Sequence, residues 1–275
     1  MSSKVIASQL KQQALSAQSV TQLLVQRLSQ SPKTIQIIDG SSGRYTTRQQ
    51  VLDYGLNFAA YLVDECGVGA GDVVLFVTVN SDIHAIGITG VLYAAGELQD
   101  LIEQINPKVL VLDQTNYEVL AKIGSEYNIK TLVLNKYENE LSVEEILQMS
   151  RPDTRKTQLP VPTDLDTTIT YVMTSGSTGR PKAVRRTNRN HLSTVAVFAH
   201  KELCPLTADD ILLNCGFCHI CGQRSLLSAI DAGAALLVLA CDETHDEVFE
   251  AINKFGATAA LLVPTQLNYL VKNPQ

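Results

Sequence analysis

Tyr171-Val-Met-Thr-Ser-Gly-Ser-Thr-Gly-Arg-Pro-Lys182 is the stretch on which the reading of this chain turns. An apolar run from Ile169 to Met173 enters it, small residues come next, and Arg180-Pro-Lys182 closes it. Thr174, Ser175, Ser177 and Thr178 set hydroxyl donors side by side. Gly176 and Gly179 can take backbone angles closed to other residues and let anionic oxygens approach main-chain N–H groups. Lys182 adds a mobile positive charge where phosphate charge would sit. Pro181 fixes the exit and stops a helix from starting inside the loop. Such a string suits a polyphosphate. It is not a Walker A loop, because Gly176 and Gly179 stand too close together and Ala183 follows the lysine. A plain Gly/Ser turn between two strands is the competing reading of the residues alone.

Size and composition narrow the rest. The chain has 275 residues, 45% of them hydrophobic, enough to bury a sizeable core in one large or two modest domains. Its formal net charge of −6 argues against a basic nucleic-acid or membrane surface. The densest basic patch, Arg180 to Arg189, belongs to the phosphate loop and the residues just after it. No apolar run is long enough to span a bilayer. The N-terminus carries no apolar core of a signal peptide, so the expected location is cytoplasmic, or an organelle entered after synthesis. Six cysteines in a chain of this length predict reduced thiols rather than a disulfide framework.

Working outward, apolar periodicity predicts a helix over Ser19 to Ser29, a strand over Thr34 to Asp39 and a turn at Asp39-Gly-Ser-Ser-Gly43. A helix starts near Thr47, with Leu52, Leu56, Ala59 and Val63 on one face, and ends at the glycines after Gly67. Asp72 to Val79 reads as a strand buried on both faces, and Asn80-Ser-Asp82 as the cap of a helix from Ile83 to Ala95. Short strands come next at Val109 to Leu112 and Thr131 to Leu134, with a helix between them from about Tyr117 to Gly124. Ser142 opens another helix through Met149. Ser150 to Asp166, with its prolines and no periodicity, reads as a linker. Beyond Lys182 the chain predicts a strand at Ala183 to Arg186 and a helix from His191 to Leu203 capped by Asn188 or Asn190. Ile211 to Asn214, Gln223 to Ala232, Ala235 to Ala240, Asp246 to Lys254 and Ala259 to Val263 continue the alternation. The fold class is therefore α/β, with mostly parallel sheets covered by helices.

The twelve-residue string at Tyr171 to Lys182 resembles the phosphate-binding signature of the adenylate-forming (AMP-binding) superfamily: acyl-CoA synthetases, 4-coumarate-CoA ligases, luciferases and peptide-synthetase adenylation domains. Ala183, where Gly is commoner, departs from it. The order helix, glycine cluster, apolar strand, Asn80-Ser81 and apolar helix also resembles the superfamily's opening. After Gly96 the resemblance jumps: Glu97 to Leu112 looks like the helix and strand from further along, as if a strand and its loop were skipped. The resemblance implies the N-terminal part of the adenylate-forming fold, truncated and lacking the C-terminal lid domain. Approximate sub-parts are 1–149, a linker at 150–166, and 167–275 with the phosphate loop.

Cys215-Gly-Phe-Cys218-His219-Ile-Cys221-Gly222 admits haem or zinc on spacing alone, but no second Cys pair or export signal supports either. Small apolar thiols packed at a strand end are the expectation for Cys215, Cys218 and Cys221. The segment resembles the superfamily's Pro-Leu-Phe-His-x-x-Gly, with Phe217, His219 and Gly222 in register and Gly216 where Pro is usual. The resemblance implies that His219 lines the pocket for the acyl substrate's carboxylate. His84, His191, His200 and His245 are expected to be solvated or at the edge of the core.

The same resemblance implies a carboxylic acid, ATP, Mg²⁺ and coenzyme A as substrates and cofactors. Thr174, Ser175, Gly176, Ser177, Thr178 and Gly179 would hold the β- and γ-phosphates, and Lys182 would neutralise the departing pyrophosphate. The superfamily's adenine-stacking Tyr-Gly-x-Thr-Glu segment, ribose-binding Asp and lid lysine have no counterpart here. The expectation is thus a fragmentary ligase, with an inactive nucleotide- or protein-binding form as the alternative. A peroxisomal address would be carried by a C-terminal signal of a longer parent.

Overall fold

Alternating side chains on short apolar strands set the architecture. In β3 (Val73–Val77) and β5 (Val109–Leu112), Val74, Phe76, Val109 and Val111 face one way, whereas Leu75, Leu110 and Leu112 face the other. Both sets are buried, which is why these strands read as unbroken apolar runs. The computed structural model describes residues 17–93, 97–98, 106–149, 164–174, 182–200, 203–204, 206–214, 216–240 and 243–272.

Two sheets result. One has the order β11-β9-β10-β1-β2, built from β1 (Ile35–Asp39), β2 (Tyr45–Thr47), β9 (Ile211–Leu213), β10 (Ala235–Val238) and β11 (Ala259–Ala260). The other has the order β6-β5-β3-β4-β7-β8, completed by β4 (Glu97–Leu98), β6 (Lys130–Val133), β7 (Thr168–Thr174) and β8 (Lys182–Thr187). Pairing is parallel except in the β1–β2 and β7–β8 hairpins. Each sheet draws strands from both sides of residues 150–166.

Between the sheets lie α1 (Val20–Leu28), α2 (Arg48–Asp64), α3 (Asp82–Tyr93), α5 (Val143–Gln148) and α7 (Ile220–Ala232), sharing one core with the inner faces of both. Outside the first sheet, α8 (His245–Phe255) covers Ile38, Leu213, Leu237 and Leu239 with Val248, Ala251, Ile252 and Phe255. Outside the second, α4 (Gln114–Glu126) covers Leu75, Leu110 and Leu112 with Tyr117, Leu120 and Ala121. The helices α6 (Asn188–Phe198) and α9 (Pro264–Lys272) complete the described elements. Burying one large apolar side chain such as Phe58 or Leu24 contributes about 1.5–3 kcal/mol, so the shared core dominates the fold's stability.

Helix starts follow local chemistry. Thr47 with Gln50, Ser142 with Glu145, Thr187 with Asn190 and Thr244 with Glu247 form reciprocal capping boxes. The cap of α6 is therefore Thr187, not Asn188 or Asn190 as the sequence suggested. Asn190 is the reciprocal partner, and Asn188 is buried with its Oδ1 accepting the Val20 N–H at 3.0 Å. Helix α7 ends on Gly233, whose φ of +80° only glycine adopts without strain.

Between β3 and β7, in the position of the strand that the sequence reads as skipped, Glu97–Leu98 are the described strand residues. That is two residues, where the neighbours have five and seven. Glu97 and Leu98 are strand, not the start of a helix, because Val73 and Val74 on one side and Thr170 on the other need a ladder partner there.

Candidate functional site

The strand β7 runs parallel to β4, and β4 parallel to β3, so both β3 and β7 end on the same edge of their sheet. At that edge β7 turns back into β8, with Thr174 opposite Lys182 as the last pair of the hairpin. Thr174 and Lys182 thus bracket the predicted phosphate loop. Ser175, Gly176, Ser177, Thr178 and Gly179 lie outside the described residues. The C-terminal edge of a parallel sheet is where open α/β folds bind ligands, since loops there are free of the ladder.

The basic residues behind the hairpin are already engaged. Arg185 donates from Nε and Nη2 to Thr168 Oγ1 at 2.9 and 2.8 Å, and Arg189 pairs with Asp166 at 2.8 Å. Thr170 Oγ1 lies 2.8 Å from Nε2 of His191, which is buried. Burial pushes the His191 imidazole down to about 3, and nearby Arg186 adds to the effect. His191 is a neutral core residue, not a solvated one; burying one face of α6 against the sheet carries it inside.

His219 stands on the other sheet. It is the N-cap residue of α7, its imidazole makes no capping bond, and it is exposed. Its backbone N–H closes a tight turn onto Gly216 O at 3.1 Å. Within that turn Phe217 is 1% exposed and plugs into the end of β3. The Phe217 N–H donates to Asn80 Oδ1 at 3.0 Å, a buried bond joining residues of the two sheets' edges. The Phe217 ring meets His84 at 5.2 Å, and His84 stacks on Phe76 at 5.0 Å and 2°. His84 Nδ1 lies 2.9 Å from Thr78 Oγ1 and 3.3 Å from Val79 O. Burial pushes the His84 imidazole down to about 4, so of the two roles expected, solvated or at the edge of the core, it too takes a neutral place inside the core. Within the Asn80-Ser-Asp82 cap read from the sequence, Ser81 does the capping, its Oγ accepting the His84 N–H at 3.1 Å.

A second, charged contact joins the same edges. Asp39, ending β1, accepts the Asp82 N–H at 3.1 Å. Arg44 binds Asp82 through Nε at 2.6 Å and Nη2 at 2.8 Å, and Glu144 through Nη1 at 2.7 Å. Burial raises the Asp82 carboxyl above its ordinary range, against the pull of Arg44. Burial is the largest influence on Glu144 and would raise it, but hydrogen bonds from Arg44, Asn135 and the Lys136 backbone, with the Arg44 charge, together hold that carboxyl low.

Among the thiols, Cys218 is exposed and Cys221 half-buried, so Cys218 departs from the packed position expected of it. It occupies the outward side of the turn that Phe217 anchors. Cys215 lies outside the described residues. Among the described residues no group of three or more His, Cys, Asp or Glu could hold a metal ion, and no helix is long and apolar enough to cross a membrane.

The family model for AMP-binding enzymes matches residues 24–275. The chain belongs to the AMP-binding enzyme family. Curated relatives include the peroxisomal OPC-8:0-CoA ligase 1 of Arabidopsis thaliana, 27% identical over 253 residues. That match covers 86% of this chain and 45% of the relative. The 4-coumarate–CoA ligase 4 of the same plant is 27% identical over 264 residues, covering 87% and 45%. The chain spans about half the length of the curated relatives it matches. Solved AMP-binding-type structures share its fold. The luciferase-like enzyme of the mealworm Zophobas morio superposes with a TM-score of 0.82 at 19% identity, covering 96% of this chain and 64% of that one. A long-chain-fatty-acid-CoA ligase of Archaeoglobus fulgidus gives 0.80 at 16%, covering 96% and 54%.

Asn80 and His84 hold the turn that carries His219, a contact that sequence reasoning missed. Asn80-Ser81 belonged to the resemblance, and a helix cap explained it equally well.

Proposed function

We propose that this chain takes part in ATP-dependent activation of a carboxylic acid, followed by thioester formation with coenzyme A. A carboxylate oxygen attacks the α-phosphorus, the bond to pyrophosphate breaks, and an acyl-adenylate forms. The coenzyme A thiol then attacks the acyl carbon, AMP leaves, and the thiol proton passes to solvent. In this reading Thr174, Ser175, Gly176, Ser177, Thr178 and Gly179 hold the β- and γ-phosphates. Lys182 neutralises the charge that builds on the leaving pyrophosphate. His219 faces the acid's carboxylate. Mg²⁺ would accompany the triphosphate and help neutralise its charge.

One observation carries the reading. The phosphate hairpin leaves the end of β7, and the His219 turn is bonded to Asn80 at the end of β3. A single strand separates β3 from β7. Two strand spacings amount to about 10 Å, a fitting span between a triphosphate site and an acid whose carboxylate must reach its α-phosphorus. The names of the ligase relatives agree with this chemistry, and the peroxisomal relative suggests that compartment besides the cytoplasm.

Carboxylate-dependent ATP–pyrophosphate exchange tests the proposal, with a panel of aryl and fatty acids as probes. Exchange supports it. MgATP binding by calorimetry that weakens at least about tenfold in Lys182→Ala would support the loop assignment, tenfold being the loss of one charge-assisted contact. Unchanged affinity in that variant would sink it. Binding without exchange would leave nucleotide binding as the activity of this chain.

A further inference from the structure

We propose that Asn80 is a positioning residue for His219. The inference rests on the proposed role of His219 at the acid's carboxylate and adds the device that aims it. His219 sits at the start of α7 with an exposed imidazole and no side-chain capping bond, and its own N–H bonds within the turn, to Gly216 O. What ties that turn to the neighbouring sheet's edge is Phe217. The Phe217 N–H is bonded to Asn80 Oδ1, and the Phe217 ring closes a stack with His84 and Phe76.

Three features make this a placement device rather than ordinary packing. The bond crosses 137 residues and links the two sheets, so its length sets how far the turn stands from the edge where β7 ends. Asn80 and Phe217 are both buried, and in that setting a lost acceptor leaves an amide unpaired instead of handing it to water. Every partner in the contact is neutral, with His84 held uncharged by burial. The contact therefore fixes geometry beside a site for two anions without adding charge to it. Directional hydrogen bonding and ring stacking constrain angle as well as distance, and a turn that presents a group to a reacting carboxylate needs both.

Three proteins decide it: the wild type, Asn80→Leu, which keeps the bulk and loses the acceptor, and Asn80→Asp, which keeps an acceptor oxygen in either protonation state. In the wild type, the Phe217 amide should exchange with deuterium at least about tenfold more slowly than in an unstructured peptide of the same local sequence. In Asn80→Leu that protection should fall at least about fivefold, and the His219 imidazole Cε1–H resonance, assigned by its loss in His219→Gln, should shift. Asn80→Asp should restore both. MgATP affinity should stay within about twofold of wild type in all three, because Asn80 lies off the nucleotide loop.

An unprotected Phe217 amide in the wild type overturns the proposal, and this readout holds even where Asn80→Leu does not fold. An unmoved His219 resonance in Asn80→Leu overturns it as well. So does an Asp variant as disturbed as the Leu variant, or MgATP binding lost together with the Asn80 acceptor. A wild type that binds no MgATP would instead remove the nucleotide reading and leave the Phe217 and His219 signals to decide the contact.

Discussion

The edges of the two sheets meet twice within three residues, once at Asn80 and once at Asp82, and the two contacts are built from opposite materials. At Asn80 the bond is neutral, buried and flanked by stacked rings. At Asp82 a guanidinium spans two carboxylates, with Arg44 37% exposed at its outer side. The neutral contact borders the His219 turn, whereas the charged one points away toward β2 and α5. The difference teaches that placing a group beside anionic substrates favours uncharged ties, while joining layers of the fold tolerates a charge network with one face in water.

Acid should break the neutral side first. His84 and His191 have folded values of about 4 and about 3, against about 6.5 when unfolded. Their folded values are depressed, so the unfolded chain binds more protons as pH falls below about 6.5. Stability present above that pH is then lost on acidification by about 1.4 kcal/mol per pH unit for each histidine. The loss should reach about 4 kcal/mol for the pair at pH 5, levelling off below about 4 for His84 and about 3 for His191. Urea melts from pH 7.5 to 5 measure it. A flat profile would show that these imidazoles are open to water.

Arg44→Ala attacks the charged side. It leaves Asp82, 1% exposed, without its bidentate partner. The expected loss is about 2–4 kcal/mol, less than for a fully enclosed pair because water reaches the guanidinium side. Chemical denaturation reads it directly, with the His219 resonance little changed. A large movement of that resonance would merge the two contacts into one.

Gly90→Ala tests the helix that begins at Asp82, just after Asn80. A methyl group there would come within 2.8 Å of Phe58 Cδ1 and 3.0 Å of Gly55 O, so α3 would have to back away from α2. The expected cost is about 1–3 kcal/mol. The Phe217 amide and the Arg44 ion pair should loosen together, as seen by hydrogen exchange. Smallest of all, raising salt to 0.5 M should weaken the wild type by under about 1 kcal/mol through the Arg44 network. It should have no effect on the loss caused by Asn80→Leu.

Legibility in the sequence tracked the range of the interaction. Unbroken apolar runs located β3 and β5, because a strand buried on both faces is apolar on both; the mixed patterns of β1, with its buried Gln36, and of β6, with its exposed Lys130, were weaker signals. Helix starts were legible to within about three residues, and the misplaced cap of α6 came from reading one asparagine at a time instead of the Thr187-to-Asn190 box. The roles of His84 and His191 were not legible. A histidine on a helix looks the same in sequence whether it faces water or the Phe76 ring of the strand before it.

By itself the sequence determined the chemistry on offer: the Thr174-to-Lys182 string, the histidine after a short apolar strand, and the α/β alternation that carries them. These are local properties, set by side-chain type, glycine freedom and period. The tertiary structure alone decided that β1 and β2 join β9 to β11, and that a two-residue β4 holds the middle of the other sheet. It also decided that Asn80 serves Phe217 rather than its own helix. Those outcomes depend on contacts between residues far apart in the chain, whose worth comes from burial, and burial exists only once the layers have closed.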